Sequence, residues 1–216
     1  MAFFPDRSTS TNLLCYKDFI TSALDDGEQV HAIYTDFKKA FDTVPHELLL
    51  QKMHCQFGVP DNALKWFRSY LSNRFQRVVI TGVSSDWAPV SSGVPQGSIL
   101  GPSLFIMYIN DLPLSLRSSE CLLFADDVKI FKRITCVNDC LDLQNDVHFI
   151  SEWCSKWKMK LNYTKCVFIN FSLKRALNID FSYFLDGIPL KHVTSVKDLG
   201  VFFSPDLSFP CIYPVL

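Results

Sequence analysis

Apolar residues recur at helical spacing over residues 12–24 and stop at Asp25-Asp26-Gly27, a combination that ends a helix. Residues 30–34 follow as a short apolar run, the pattern of a strand, which ends at Asp36. Helical patterning resumes over 45–57, where Pro45 suits a first turn and Gly58 stands just past the end. It returns over 62–71, with Leu64, Trp66-Phe67, Tyr70 and Leu71 apolar and basic residues on the outer side. Residues 75–81, rich in Val and Ile, predict a strand with 87–90 as its partner. A glycine-punctuated loop, 92–101, leads into a helix opened by Pro102, running to Ile109 and stopped by Pro113.

The second half is patterned differently. Residues 121–125 read as a buried strand and 128–131 as an alternating one, with Asp126-Asp127 at the bend between them. A long helix over 137–156 puts Val137, Leu141, Val147, Ile150 and Cys154 on its apolar side. Strands are predicted at 166–171 and 180–185. Asp186-Gly187 turns the latter into 188–193, and 196–203 makes a last strand. Strands interleaved irregularly with helices predict an α+β fold, an antiparallel sheet backed by helices, rather than a doubly wound alternation.

Composition permits a real core, with 216 residues, 48% of them hydrophobic and 19 of them Phe. That length is one domain, or a domain with a small appendage. A formal net charge of −1 is not that of a generic nucleic-acid binder, but it leaves local stripes open. Lys65, Arg68, Arg74 and Arg77 form one acid-free stretch, and Lys156, Lys158, Lys160 and Lys165 form another. Each is either a solvated face or a track for phosphates. Eight cysteines show no paired Cys-x-x-Cys pattern with nearby His, so free thiols are expected rather than disulfides or a zinc site. There is no signal-peptide pattern, and the longest apolar run, 104–109, is too short to span a bilayer. A soluble intracellular chain, or part of one, is expected.

The chemistry concentrates in three places. Asp126-Asp127 would hold two like charges a few ångströms apart, where full ionisation is costly unless a cation binds. A solvated polar turn is the plainer account of such a pair. Asp36, at the end of its strand, is either a cap or a third carboxylate converging on the same point. Three such carboxylates would bind two divalent ions and clamp the attacking and leaving oxygens of a phosphoryl displacement. In Gly93-Val94-Pro95-Gln96-Gly97-Ser98, two glycines bracketing Pro-Gln would let a backbone approach a ligand at a helix entrance.

Together these segments resemble a known family. The run from Tyr34-Thr35-Asp36-Phe37 through Phe41-Asp42 to Val44-Pro45-His46 resembles the first palm motif of non-LTR retrotransposon reverse transcriptases, of the jockey-like kind. The run from Ser92-Gly93-Val94-Pro95-Gln96-Gly97 to Gly101-Pro102 resembles their second motif, and Phe124-Ala125-Asp126-Asp127 the third. Residues 157–166, with Leu161-Asn162 and Lys165, are similar to the fourth, and Asp198-Leu199-Gly200-Val201 to the fifth, the primer grip. All five occur in family order.

The resemblance implies roles. Asp36, Asp126 and Asp127 would ligate two Mg2+ (or Mn2+) ions, with the Phe37 carbonyl as a further ligand. Phe41 would be the steric gate that rejects a ribose 2′-hydroxyl, although as one Phe among many it also suits a core. Gln96 and Gly97 would line the nascent base pair. Pro95, Leu199 and Gly200 would contact primer and template, and Lys165 the departing pyrophosphate. Partners would be an RNA template, a DNA primer and dNTPs, with no membrane, and the family implies the nucleus. The implied organisation is a residual fingers segment at 1–30, a palm at 31–185, and a primer-grip hairpin with a truncated end at 186–216. Arg7 would be a survivor of the basic fingers, and no thumb is expected, so a partner chain would supply what is missing. Uncovered apolar surface would follow. The alternative is a catalytically inactive remnant that at most binds nucleic acid or protein.

Overall fold

The computed structural model describes residues 8–173 and 179–207. Arg7, the remainder of 1–7 and the terminal 208–216 with Cys211 lie outside the described residues.

Helix α1 (Thr9–Asp25) begins at Ser8, whose hydroxyl accepts the Thr11 N–H at 3.1 Å while the Thr11 hydroxyl accepts the Ser8 N–H at 2.9 Å. Strand β1 (Gln29–Thr35) follows. Next come α2 (Ala40–Thr43), α3 (His46–Phe57) and α4 (Asp61–Leu71). Gly58 closes α3 with φ 64°, the left-handed stop the sequence implies. Helix α5 (Leu100–Ile109) precedes the hairpin of β2 (Glu120–Phe124) and β3 (Asp127–Ile134). Helix α6 (Val137–Lys156), β4 (Val167–Phe171) and β5 (Lys191–His192) complete the framework.

The central sheet has the order β5-β4-β1-β3-β2. Its pairs are antiparallel except β5, which runs parallel to β4. Ile33, Val128, Ile130 and Phe168 face α3, α5 and α6, packing among Leu49, Met53, Phe105, Tyr108, Leu143 and Ile150. Val30, Ala32, Phe131 and Phe171 face the other way, onto Tyr16 and Ile20 of α1. Both faces are therefore covered, and β1 is buried almost throughout, its polar Gln29, His31 and Thr35 included. The polar link into β2 is held from α6, where the buried Asp146 carboxylate accepts the N–H groups of Arg117, Ser118 and Ser119 at 2.7–3.0 Å.

Four expectations need correction. On α6, Val137 and Leu141, expected on the apolar side, are exposed, and the buried face is carried instead by Cys140 and Leu143 with Val147, Ile150 and Cys154. The strand expected at 75–81 is broken: Arg74–Gln76 pairs with Ala88–Val90 as anticipated, but Val79–Ile80 folds back on Val83–Ser84 around Thr81-Gly82. Both faces of this ribbon are exposed, so side-chain alternation carried no information about where it turns. The strand expected at 196–203 is a hairpin, Val196–Asp198 against Val201–Phe203. Leu199 (φ 45°) and Gly200 (φ 91°) make its two-residue turn, both with the positive φ that matches strand twist. Within 180–193, Phe184–Leu185 pairs with Ile188–Pro189, and only Lys191–His192 joins the sheet.

Among the described residues no helix is long and apolar enough to cross a membrane. The described cysteines are free thiols. Apolar side chains do lie exposed on the ribbon, including Phe75, Val79, Ile80, Val83 and Trp87.

Candidate active site at the end of the sheet

Strand register builds the site. β1 and β3 align Thr35 with Val128, so one further step sets Asp36 across from Asp127. The last β2–β3 pair joins Phe124 to Asp127, leaving Ala125-Asp126 as the turn. Ala125 adopts φ 53°, a left-handed backbone that a side chain disfavours and that only a tight turn imposes. Asp126 thus stands beside the facing pair. Burial pushes the Asp127 carboxyl above the ordinary carboxylate range, and the charges of Asp126, Asp198 and Asp36 push the same way, opposed by Lys129.

The segment after β1 is clamped by the segment before β4. Asn162 donates its N–H to the Asp36 carbonyl at 2.7 Å, Lys38 donates to the Lys160 carbonyl at 2.7 Å, and Phe37 bridges Leu161. Lys165, two-thirds exposed, brings its ammonium 3.7 Å from Asp36 Oδ1. Asp36 and Lys165 line two adjoining clefts. Phe37, Phe41, Gln96, Asp126 and Lys160 share one of them. Asp127, Lys129, Asp198 and Leu199 share the other, of about 220 Å3. Pro95 lies in a neighbouring depression with Asp42, Arg74 and Gln96, while Gly97 and Gly200 line neither cleft.

The glycine loop is stitched to the post-β1 segment. A Cβ on Gly93 would lie 2.7 Å from the Asp42 backbone, and φ there is 91°. The Gly93 N–H donates to Val44 at 2.8 Å and that of Val94 to Phe41 at 2.7 Å. Gln96 Nε2 donates to Asp42 Oδ1 at 2.7 Å. The half-buried Phe41 ring stacks on Phe105, centroids 4.2 Å apart, with an edge left on the cleft. Phe41 thus packs on the core and lines the cleft at once.

Of the first basic stretch, Arg68 pairs with Glu47, Arg74 lies 5.8 Å from the Tyr70 ring centre and Arg77 lies 4.7 Å from that of Trp87. Of the second, Lys160 and Lys165 reach the carboxylates' cleft.

Among the described residues, no three His, Cys, Asp or Glu side chains stand close enough to enclose a metal ion. The donor chemistry nonetheless suits one. Carboxylate oxygens are the ligands of hard divalent cations, and the cost of charging Asp127, set by burial and then by the charges of Asp126, Asp198 and Asp36, is one that a cation relieves. Sequence reading gave no role to Lys129, nor to Asp198 beyond its place at the start of the fifth motif, yet the two form a buried ion pair lining the second cleft. The pair left no local signal, because Lys129 sits in an apolar strand where an alternating pattern sends it outward.

Residues 1–203 match the family profile described as reverse transcriptase (RNA-dependent DNA polymerase). Among curated proteins the chain is 33% identical over 195 residues to the probable RNA-directed DNA polymerase from transposon X-element of Drosophila melanogaster, covering 88% of this chain and 21% of that protein. It is 30% identical over 198 residues to that from transposon BS of the same fly, covering 88% and 22%. It is also 30% identical over 200 residues to the RNA-directed DNA polymerase from mobile element jockey of Drosophila funebris, covering 89% and 21%. The chain thus spans about a fifth of the length of these relatives. Among solved structures, telomerase from Candida albicans with a fragment of telomeric RNA superposes with a TM-score of 0.62 at 16% identity, over 94% of this chain and 34% of that one. Apo telomerase from Candida tropicalis gives 0.59 at 13%, over 94% and 38%.

Proposed function

This chain belongs to the reverse transcriptase (RNA-dependent DNA polymerase) family, and from that premise we propose that it carries the catalytic palm of an RNA-directed DNA polymerase. The reaction is attack of a primer 3′-hydroxyl on the α-phosphate of a dNTP, with pyrophosphate leaving and an RNA strand as template. The observation that carries this reading is the register that sets Asp36 across from Asp127, with Asp126 in the adjoining turn.

Asp36, Asp126 and Asp127 would hold divalent cations, Mg2+ or Mn2+, together with the Phe37 carbonyl. Bound there, such ions neutralise the phosphates and raise the nucleophilicity of the hydroxyl. Lys165 places a positive charge beside Asp36, where it would stabilise the departing pyrophosphate. Gln96, braced by Asp42, would support the incoming base pair, and the Phe41 ring would close the space a 2′-hydroxyl needs. Leu199 and Gly200 would support the primer end, and Pro95 and Gly97 the template. Residues 31–185 would form the palm and the last hairpin the primer grip.

The test is extension of a DNA primer on an RNA template with Mg2+ or Mn2+, beside an Asp126→Asn variant. Extension by the parent and a loss of at least about 1,000-fold in the variant is expected, since the carboxylates' contribution is realised at the reacting phosphate. Folded protein that extends no primer favours the inactive remnant. Mn2+ that raises the melting temperature of the parent and not of Asp126→Asn supports the cation site independently of turnover.

A further inference from the structure

Two residues past Asp127 on the same side of β3, Lys129 is 3% exposed, and its ammonium lies beneath the cleft. It bonds the carboxylate of Asp198, itself 6% exposed, and sits 4.5 Å from the centre of the Tyr16 ring. Tyr34 donates its hydroxyl to that of Tyr16 at 3.0 Å, completing a polar floor between α1, β1 and β3. Asp198 is the last residue before the Leu199-Gly200 turn.

The hairpin of Val196–Asp198 and Val201–Phe203 has no strand pairing with the central sheet among the described residues. Val196 and Phe203 pack on the α1 side of the core, and Ser172 past β4 donates to the Pro205 carbonyl at 3.0 Å. These contacts hold the base of the hairpin. The tip is reached through Asp198, whose carboxylate takes the ion-pair bond of Lys129 and a hydrogen bond with Tyr34.

We propose that the Lys129–Asp198 pair is a tether that fixes the Leu199-Gly200 tip relative to Asp36 and Asp127, and so positions the primer terminus over the carboxylates. The primer part of this rests on the polymerase reading above. What distinguishes such a pair is direction. A buried ion pair contributes little stability that well-packed apolar residues of the same size would not. What it adds is geometry: a charge-assisted bond has a fixed length and angle, whereas apolar surfaces can slide. One end of the bond is two residues from Asp127 and the other is one residue from the tip. Any change in its length moves the primer-grip turn against the reacting centre, and such misplacement is costly to turnover.

The experiment compares the 216-residue chain with Lys129→Met, Asp198→Leu and the double variant. Three quantities are read: melting temperature, hydrogen exchange of the 198–201 amides, and the primer KM and kcat of extension. Each single variant leaves one charge buried alone and should melt well below the parent. The double variant should recover most of that loss, yet its tip amides should exchange at least about tenfold faster and its primer KM should rise about tenfold. A double variant that recovers its melting temperature with exchange and primer KM within about twofold of the parent overturns the tether, because a purely structural pair would behave so. Should the double variant not fold, Asp198→Glu keeps the charge and lengthens the arm. A raised primer KM at near-parental melting temperature supports the proposal, and an unchanged one overturns it. If the parent extends no primer while the double variant loses tip protection, the tether stands, and the primer role falls with the polymerase reading.

Discussion

Two lysines, Lys52 and Lys129, are buried on opposite sides of the central sheet, and the same chemistry surrounds both. Lys52, on α3, bonds Asp111 Oδ1 at 2.5 Å and the Tyr108 carbonyl at 2.6 Å, with the Trp157 ring centre 3.8 Å away. Lys129 bonds Asp198 and lies over Tyr16. The difference is in what each pair joins. Around Lys52, Trp153 Nε1 and Gln56 Nε2 also donate to Asp111, so the clasp links α3, the end of α5 and α6, which the core already holds together. The Lys129 pair links a sheet strand to a hairpin that, among the described residues, shares no strand pairing with it. A buried charge is redundant geometry in the first place, whereas in the second it joins the hairpin tip directly to the sheet, beside a hydrogen bond between Tyr34 and the same Asp198 carboxylate.

The largest effect that could break this comparison is on stability. Lys52→Ala and Lys129→Ala should each cost about 3–5 kcal/mol in urea unfolding, because each leaves a carboxylate without its cation. A cost below about 1 kcal/mol at either site would show that pair to be solvated. Replacing Lys52 and Asp111 together by Met and Leu should leave the primer KM at its parental value once melting temperature is recovered. A raised KM there would erase the distinction between clasp and tether.

A pH titration sharpens the contrast next. Burial pushes the Lys52 ammonium down to about 8, against 10.5 for a free lysine, with Asp111 opposing. Between those values the unfolded chain holds more protons than the folded one, so stability should rise as pH increases from about 8 to 10.5. That rise should be smaller in Lys52→Met, measured as unfolding free energy across the window. An identical slope in the two proteins would show Lys52 to titrate as it does in water.

Pocket shape can be separated from positioning through Phe41. Phe41→Val should lower the preference for dNTP over NTP, read as the ratio of kcat/KM values, by about tenfold or more. The tether variants should leave that ratio alone while changing primer KM. Parental selectivity in Phe41→Val would assign this ring to the core through Phe105 and remove the gate.

The smallest effect is at the surface. Arg68→Ala should change stability by less than about 1 kcal/mol despite the ion pair with Glu47, since both side chains are more than half exposed. A larger loss would mean that exposure is a poor guide to what ion pairs do in this protein, the buried two included.

Much of the site was legible because its chemistry is local. Asp126-Asp127 at a bend, Asp36 at a strand end, and the glycines bracketing Pro95-Gln96 are each visible in a few consecutive residues, whereas what Gly93 approaches, the Asp42 backbone, is not. Pro45 and Gly58 bracketed α3 for the same reason, since caps act within one turn. Lys129 was not legible. In Val128-Lys129-Ile130 it reads as the outward member of a half-buried strand, and only the packing of α1 over that face turns it into a buried cation. The exposed ribbon at 74–90 failed for the opposite reason: with neither face covered, no burial requirement selected a register.

By itself the sequence determined the longer helices and most strands, though not the single turn of α2, together with the order of the motifs and the residue types able to hold a cation or turn a chain. These depend on propensities and contacts a few residues long. Tertiary structure decided which of them meet. The facing of Asp36 and Asp127 is a matter of strand register across 91 positions, and the bond of Lys129 to Asp198 spans 69. Such pairings are selected by the burial of both sheet faces at once, a free energy that belongs to the assembled core and to no segment of it.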